Sequence, residues 1–367
     1  MAVEHTSGSI IYASQSCSTR AQIISFLNTQ LQNAGWTTSG IALGYKLTSA
    51  ATPHGLRCKV WLEDNGEAVT GAPAIRVRVS NYSEDKISGA ATANGSQITC
   101  AAAGSTFTIL ANRYQFFLFE LAGGYTAYRW FGCGVPFLPT PLRPKVITNA
   151  TTASPRVITS AAHGFSNGDQ VYVCELEGLT GINGSTYTVA NKTTDTFELS
   201  GSTSGGSYTG GGLVAKLNSQ VAEAIWMADS PNAASRGLFR AAFECSNTTA
   251  GAWSTLNGNT VRATAGSTIG GPALTILDHN LGPATPSVTY YNNSYAVWDA
   301  QLLLSTSSGV QGRIVGQLWD AFCVAGALTL DQTSDAPFDG THNYIMLGAS
   351  SASITNKSRM GLVVATS

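Results

Sequence analysis

The stretch Arg156-Val-Ile-Thr-Ser-Ala-Ala-His-Gly-Phe-Ser-Asn-Gly-Asp-Gln-Val-Tyr-Val173 sets two short β-branched runs either side of a cluster of turn residues. Runs of this kind bounded by Gly, Asn and Asp read as strands and tight corners. Thr186-Tyr-Thr-Val and Thr196-Phe-Glu-Leu continue the pattern, with Asn183-Gly184, Gly205-Gly206 and Gly210-Gly-Gly212 as punctuation. Gly164 and Gly168 can take φ > 0 at tight corners, and Asp169 can bond the amides of its own turn. Asn183-Gly184 fits a primed hairpin turn, and alternation points Phe197 and Leu199 inward. Residues 145–217 therefore read as a small β-barrel or sandwich, near the lower size limit for a self-sufficient core.

Upstream, Val135-Pro-Phe-Leu-Pro-Thr-Pro-Leu-Arg-Pro144 carries four prolines in nine residues. Prolines cannot sit in a central strand, so the spacing predicts a stiff extended connector on which the small block projects. Nearer the N-terminus, Thr19 and Gln22 have capping-box spacing, and Ile23, Ile24, Phe26, Leu27 and Leu31 follow mostly at helical intervals until Gly35. This predicts one amphipathic helix on a sheet, with Trp36 covering the core beyond its end. Leu56, Cys58, Val60 and Leu62 alternate with polar or larger neighbours, as does Ile75-Arg-Val-Arg-Val. Both read as half-buried antiparallel strands. Tyr114-Gln-Phe-Phe-Leu-Phe and Tyr125-Thr-Ala-Tyr-Arg-Trp read as aromatic strands joined at Gly123-Gly124. Downstream, Ala224-Ile-Trp-Met, Gly312-Arg-Ile-Val-Gly-Gln-Leu-Trp, Tyr344-Ile-Met-Leu and Gly361-Leu-Val-Val are further strands.

The fold expected is mainly β: an antiparallel β-sandwich body with one N-terminal helix and an inserted small β-barrel. Residues 1–144 and 218–367 would share the body, and residues 145–217 would form the insert.

The 367 residues hold 20 Lys+Arg against 21 Asp+Glu, a net charge of -1. Binding to nucleic acid needs a cationic surplus to displace counterions, so no nucleic-acid partner is expected. Charged residues are 11% of the chain, far below an ordinary soluble domain's roughly 25%. A surface of Ser, Thr, Asn and Gly does not repel its own copies, which suits a protein packed against itself. The N-terminal segment lacks the basic region of a signal peptide, and no run approaches membrane-spanning length, so no membrane insertion is expected. The 7 Cys are scattered without any Cys-x-x-Cys, which predicts buried free thiols made in a reducing cytoplasm.

The run from Val146 through His163-Gly-Phe and Asn167-Gly-Asp-Gln-Val, then Asn183-Gly-Ser-Thr-Tyr-Thr-Val and Thr196-Phe-Glu-Leu to Tyr208-Thr-Gly-Gly-Gly, resembles the FCCH-like β-module. That module is named after a domain of ubiquitin-activating enzymes and is common in tailed-phage virion proteins. The resemblance implies a spacer or decoration on a larger subunit and no ubiquitin chemistry. The flanks resemble phage tail or baseplate subunits more loosely, through Asn33-Ala-Gly-Trp, Ile75-Arg-Val-Arg-Val and Phe131-Gly-Cys-Gly-Val-Pro.

The 5 His show no metal-ligand spacing, and His163 belongs to a turn. Asp278-His279 has no Gly-x-Ser-x-Gly elbow to serve, and Gly201-Ser-Thr-Ser-Gly205 reads as a flexible loop. Asp331, Asp335 and Asp339 lack the spacing of an EF-hand. The richest binding candidate is Tyr290, Tyr291, Tyr295 and Trp298 around Asn292-Asn293-Ser294. Aromatic rings beside amides can stack on sugars, and the same residue types enrich subunit contacts. No cofactor, metal or enzymatic activity is expected. The expected role is a structural subunit of a tailed-phage virion, in tail or baseplate, assembled in the host cytoplasm. Its partners would be copies of itself and other virion proteins. The alternatives are a receptor-binding subunit using residues 290–298 on a host-surface glycan, and a glycan-cleaving tailspike.

Overall fold

The computed structural model describes residues 10–64, 66, 68–69, 72–80, 96–99, 104–121, 128–203, 205–217, 219–229, 240–246, 273–276, 297–306, 309–324, 333–334, 342–347 and 359–366. Strand β1 (Ile11–Cys17) leads into helix α1 (Arg20–Asn33). The capping box is present: Thr19 Oγ1 accepts the Gln22 amide, and the Gln22 side chain accepts the Thr19 amide. At the other end Gly35 has φ +89°. Its amide donates to Gln32 O, and that of Trp36 donates to Leu31 O, a Schellman closure. Ile23, Ile24, Phe26, Leu27 and Leu31 are buried, as their spacing requires. Trp36 is buried past the stop, its indole N–H donating to Asn112 O at 2.8 Å.

Period-two patterning then takes over in β2 (Thr37–Ile41), β3 (Gly44–Thr48), β4 (Lys59–Glu63), β5 (Ala68–Val69), β6 (Ala72–Ser80) and β7 (Ser96–Thr99). They form an antiparallel sheet in the order β2-β3-β4-β6-β5, with β7 also on β6. Leu47, Val60, Leu62, Ile75 and Val77 are buried in one cluster with α1. Next come β8 (Ser105–Ala111), β9 (Gln115–Leu121) and β10 (Tyr128–Gly134), paired in sequence; the Gly123-Gly124 turn lies outside the described residues. Phe107, Ile109, Phe116 and Cys133 join that same cluster, which makes the body a β-sandwich. Cys58 and Cys133 are side-chain partners within the buried cluster; burial, and then the hydrogen bond with Cys58, pushes the Cys133 thiol far up from its ordinary range.

The proline segment is not a free spacer. Phe137 exchanges backbone hydrogen bonds with Gln317 at 2.8 and 2.9 Å, and residues 140–142 make one 3-10 turn. Leu138 and Leu142 are fully buried in the body. The apolar side chains between the prolines find a core to enter, and that burial outweighs the chain's preference for an extended path.

The insert comprises β11 (Lys145–Val146), β12 (Asn149–Ala150), β13 (Arg156–Thr159), β14 (Gln170–Glu177), β15 (Ser185–Ala190), β16 (Thr196–Ser200) and β17 (Gly210–Lys216). Its antiparallel sheet runs β11-β17-β14-β15-β16-β13-β12. The two outer strands are pieces of one bent segment: Ile147 N donates to Gly212 O and Thr148 N to Thr159 O, both at 2.9 Å. The sheet therefore curls until its ends meet on residues 145–150. Ile158, Phe165, Val171, Val173, Phe197 and Leu199 fill the interior. Tyr172 and Cys174, on the opposite face of β14, are buried in the body's cluster together with Leu213 and Ala215. That two-sided burial explains why the β14 sequence is a nearly continuous apolar run.

The chain returns to the body at Val221, whose amide donates to Leu142 O at 2.7 Å. It then enters β18 (Glu223–Asp229), the direct neighbour of β10. With β19 (Arg240–Ser246) this completes the order β1-β8-β9-β10-β18-β19. A further sheet holds β20 (Ala273–Ile276), β21 (Val297–Thr306), β22 (Gly309–Val324), β23 (Thr333–Ser334), β24 (His342–Leu347) and β25 (Arg359–Thr366), in the order β20-β21-β22-β25-β24-β23.

Candidate functional site

The turn residues singled out from the sequence lie in the insert, and each has a mechanical task. Gly164 and Gly168 have φ of +72° and +91°. Asp169 Oδ2 accepts the Ser166 amide at 2.8 Å and meets Lys216 Nζ at 2.9 Å. Burial alone would raise the Asp169 carboxyl; the Lys216 ammonium and the Ser166 amide outweigh it and hold the group below its usual value. The pair ties the 166–169 corner to the end of β17. His163 is buried, with its Nδ1 accepting the Phe165 amide at 3.0 Å. Its ring packs 5.1 Å from Phe165 and 4.9 Å from Phe197.

Asn183-Gly184 is not the two-residue hairpin its sequence suggests. Residues 178–184 separate β14 from β15, residues 180–182 form a 3-10 turn, and Asn183 is not among the residues with φ > 0. Asn183 instead clamps one residue of β14, accepting from Leu176 N at 2.9 Å and donating to Leu176 O at 2.8 Å. Opposite it, Gly211 sits where a Cβ would lie 2.5 Å from Glu175 O, so the glycine run at 210–212 lets β17 pass close to β14.

Arg156 opens strand β13, where a charged residue would be expected at the surface, yet it is 2% exposed. Its Nη1 donates to Thr151 O at 2.8 Å, its Nε to Thr203 O at 3.0 Å and its Nη2 to Gly205 O. Ser202 Oγ accepts the Arg156 amide and donates to Leu199 O. Residues 201–203 and 205 are therefore pinned and not a slack Ser/Gly loop. The signal was present: Arg156 shares the inward parity of Ile158.

Two further junctions were not legible in spacing. Asn112 Oδ1 accepts the amides of Tyr114 and Gln115, while its Nδ2 donates to Asp320 Oδ2 at 2.6 Å. Gln115 bonds both backbone groups of Trp319, and the Trp319 indole donates to Val135 O at 3.0 Å. The second junction is His54, whose ring lies 5.2 Å from Phe137, with the Arg143 guanidinium 4.7 Å from that same ring. Beside it, a Cβ on Gly55 would strike Leu213 of the insert at 2.3 Å. Desolvation, and then the positive charge of Arg143, lowers His54 to about 4.

Tyr290, Tyr291 and Tyr295 lie outside the described residues, as do Asp278, His279, Asp331, Asp335 and Asp339. Trp298 has its backbone in β21, opposite Cys323. Among the described residues no three His, Cys, Asp or Glu side chains gather as a metal-binding group, and no helix is long and apolar enough to cross a membrane. No curated protein matches the chain. The sequence profile of the ubiquitin-activating enzyme E1 FCCH domain matches residues 155–218, so the insert is an FCCH-like β-module.

Proposed function

We propose that this protein is a non-enzymatic structural subunit of a tailed-phage virion, placed in the tail or baseplate and acting by oligomeric assembly. The observation that carries the reading is how the FCCH-like module is built in. Tyr172, Cys174 and Leu213 share the body's buried cluster, and Leu142 and Val221 close the neck with one hydrogen bond. A module fixed this firmly presents a rigid outer face, as a component that must repeat identically around a symmetry axis requires. Polar side chains at the module and its junction serve as structural ties: Asn183 and Arg156 hold backbone groups, and Asn112 holds two amides and Asp320. The low charge of the chain favours packing of many copies, where avidity compensates for weak pairwise contacts.

Imaging intact virions with this subunit labelled tests the placement, and label confined to the tail or its tip is the expected result. A purified chain that stays monomeric at high concentration and physiological salt would count against assembly. Glycan-array binding lost in Tyr291→Ala, with the fold intact, would replace this reading by a receptor-binding one.

A further inference from the structure

Among the described residues, the edge formed by β2 shows none of the devices that normally keep a sheet from pairing with another chain. Such edges are blunted by lysine, proline, bulges or a covering element. Here the strand is Thr37-Thr38-Ser39-Gly40-Ile41, with no charge, no proline and four exposed residues. The flank is equally neutral: after Arg20, α1 carries no ionisable side chain through Asn33. Along α1 beyond Arg20 no like charge guards the edge; on the sheet the charge beside it is Lys46 of β3, opposite Ser39 and one strand in.

The register states which backbone groups face outward. Asp64 N donates to Leu43 O and Ser49 N to Cys58 O, so odd-numbered residues of β3 and its flanks point at β4. Gly44, Lys46 and Thr48 then point at β2, where their partners are Ile41, Ser39 and Thr37. Hydrogen-bonding direction alternates along an antiparallel strand, which leaves the N–H and C=O of Thr38 and Gly40 aimed away from the sheet. Among the described residues neither makes a backbone hydrogen bond outward. A Cβ on Gly40 would meet nothing within 4 Å.

We infer that β2 is a docking edge for the β2 strand of a second copy of this chain, paired antiparallel about a two-fold axis at Ser39. In that register Thr38 faces Gly40 of the second copy and Gly40 faces its Thr38. Both residues of each pair have outward-pointing groups, so all four donors and acceptors on each edge are used. Any one-residue slip would set outward groups against inward ones. The exposed Leu43 at the hairpin tip comes to lie opposite Gly35 of the second copy. The pairing names the partner in the assembly proposed above and rests on that reading for the presence of many copies.

The test is disulfide trapping in the full-length chain. Ser39 faces itself across the axis in a non-hydrogen-bonded pair, where Cα atoms lie roughly 4.5 Å apart, within disulfide reach. Thr37 faces Ile41, and the two Thr37 residues are about 13 Å apart along the strands. Under mild oxidation by oxidised glutathione, Ser39→Cys should form a covalent dimer on a non-reducing gel, while Thr37→Cys stays at the wild-type level. Ser39→Lys, which sets two ammonium groups face to face, should weaken association at least tenfold in sedimentation, with an unchanged circular dichroism spectrum. Equal trapping of both cysteine variants overturns the register. Association without trapping at position 39 and without an effect of Ser39→Lys overturns this edge and leaves assembly standing. Absence of both trapping and association overturns assembly as well.

Discussion

Arg156 holds the closing loop of the FCCH-like module by donating to three backbone carbonyls from inside it. Arg156→Met keeps much of the apolar stem and leaves those carbonyls without a donor, which should cost about 2–4 kcal/mol in urea unfolding. His54 gives a different signature. Its folded value of about 4 lies below the ordinary 6.5, so between these values the unfolded chain takes up a proton that the folded chain refuses. The stability it contributes is present above pH 6.5 and is lost as pH falls through 4. His54→Phe keeps an aromatic ring against Phe137 and removes the titration. The variant's stability should therefore fall less than the wild type's between pH 7 and 4, as urea midpoints would show. Arg156 was legible in principle from its parity with Ile158, whereas nothing in the sequence brings His54 to Arg143 or Asn112 to Asp320. Those contacts join positions far apart in the chain, and local spacing carries no information about them.

Elements were the most readable scale because their signals are local. Thr19, Gln22 and Gly35 bound α1 through hydrogen bonds spanning at most five residues, and alternation identified β4 and β6. The misread turn at Asn183-Gly184 had the right residues for a hairpin. It was overruled because Leu179 and Ile182 are buried in the module core and draw the loop into a longer path. Close packing between strands is a second element-scale property. On β10, Gly132 leaves room for Phe117 and Trp226, whose rings would lie 2.8 and 3.1 Å from a Cβ there. Gly132→Ala should cost about 1–3 kcal/mol through overpacking and lower the thermal midpoint, while an alanine at open Gly40 should leave it nearly unchanged.

At the scale of the whole molecule, the expected fold class agrees with the structure: mainly β, antiparallel, with one helix. The connector was misread because proline content reports on the backbone and not on what Leu138 and Leu142 bury against. Since Tyr172, Cys174, Leu213 and Ala215 belong to the body's cluster, module and body should melt together. Scanning calorimetry is expected to give one cooperative transition, with its calorimetric and van't Hoff enthalpies equal. Two resolved transitions would mean the seam contributes little.

The neck at Leu142 and Val221 has a consequence for ancestry. A polypeptide that leaves a sheet and comes back one hydrogen bond away can gain or lose everything in between without moving β10 or β18 out of register. In physical terms the same splice point can accept a different passenger, provided that it covers the body's core as Tyr172, Cys174 and Leu213 do. What a newcomer must bring is a small greasy patch to replace Leu213 over Gly55.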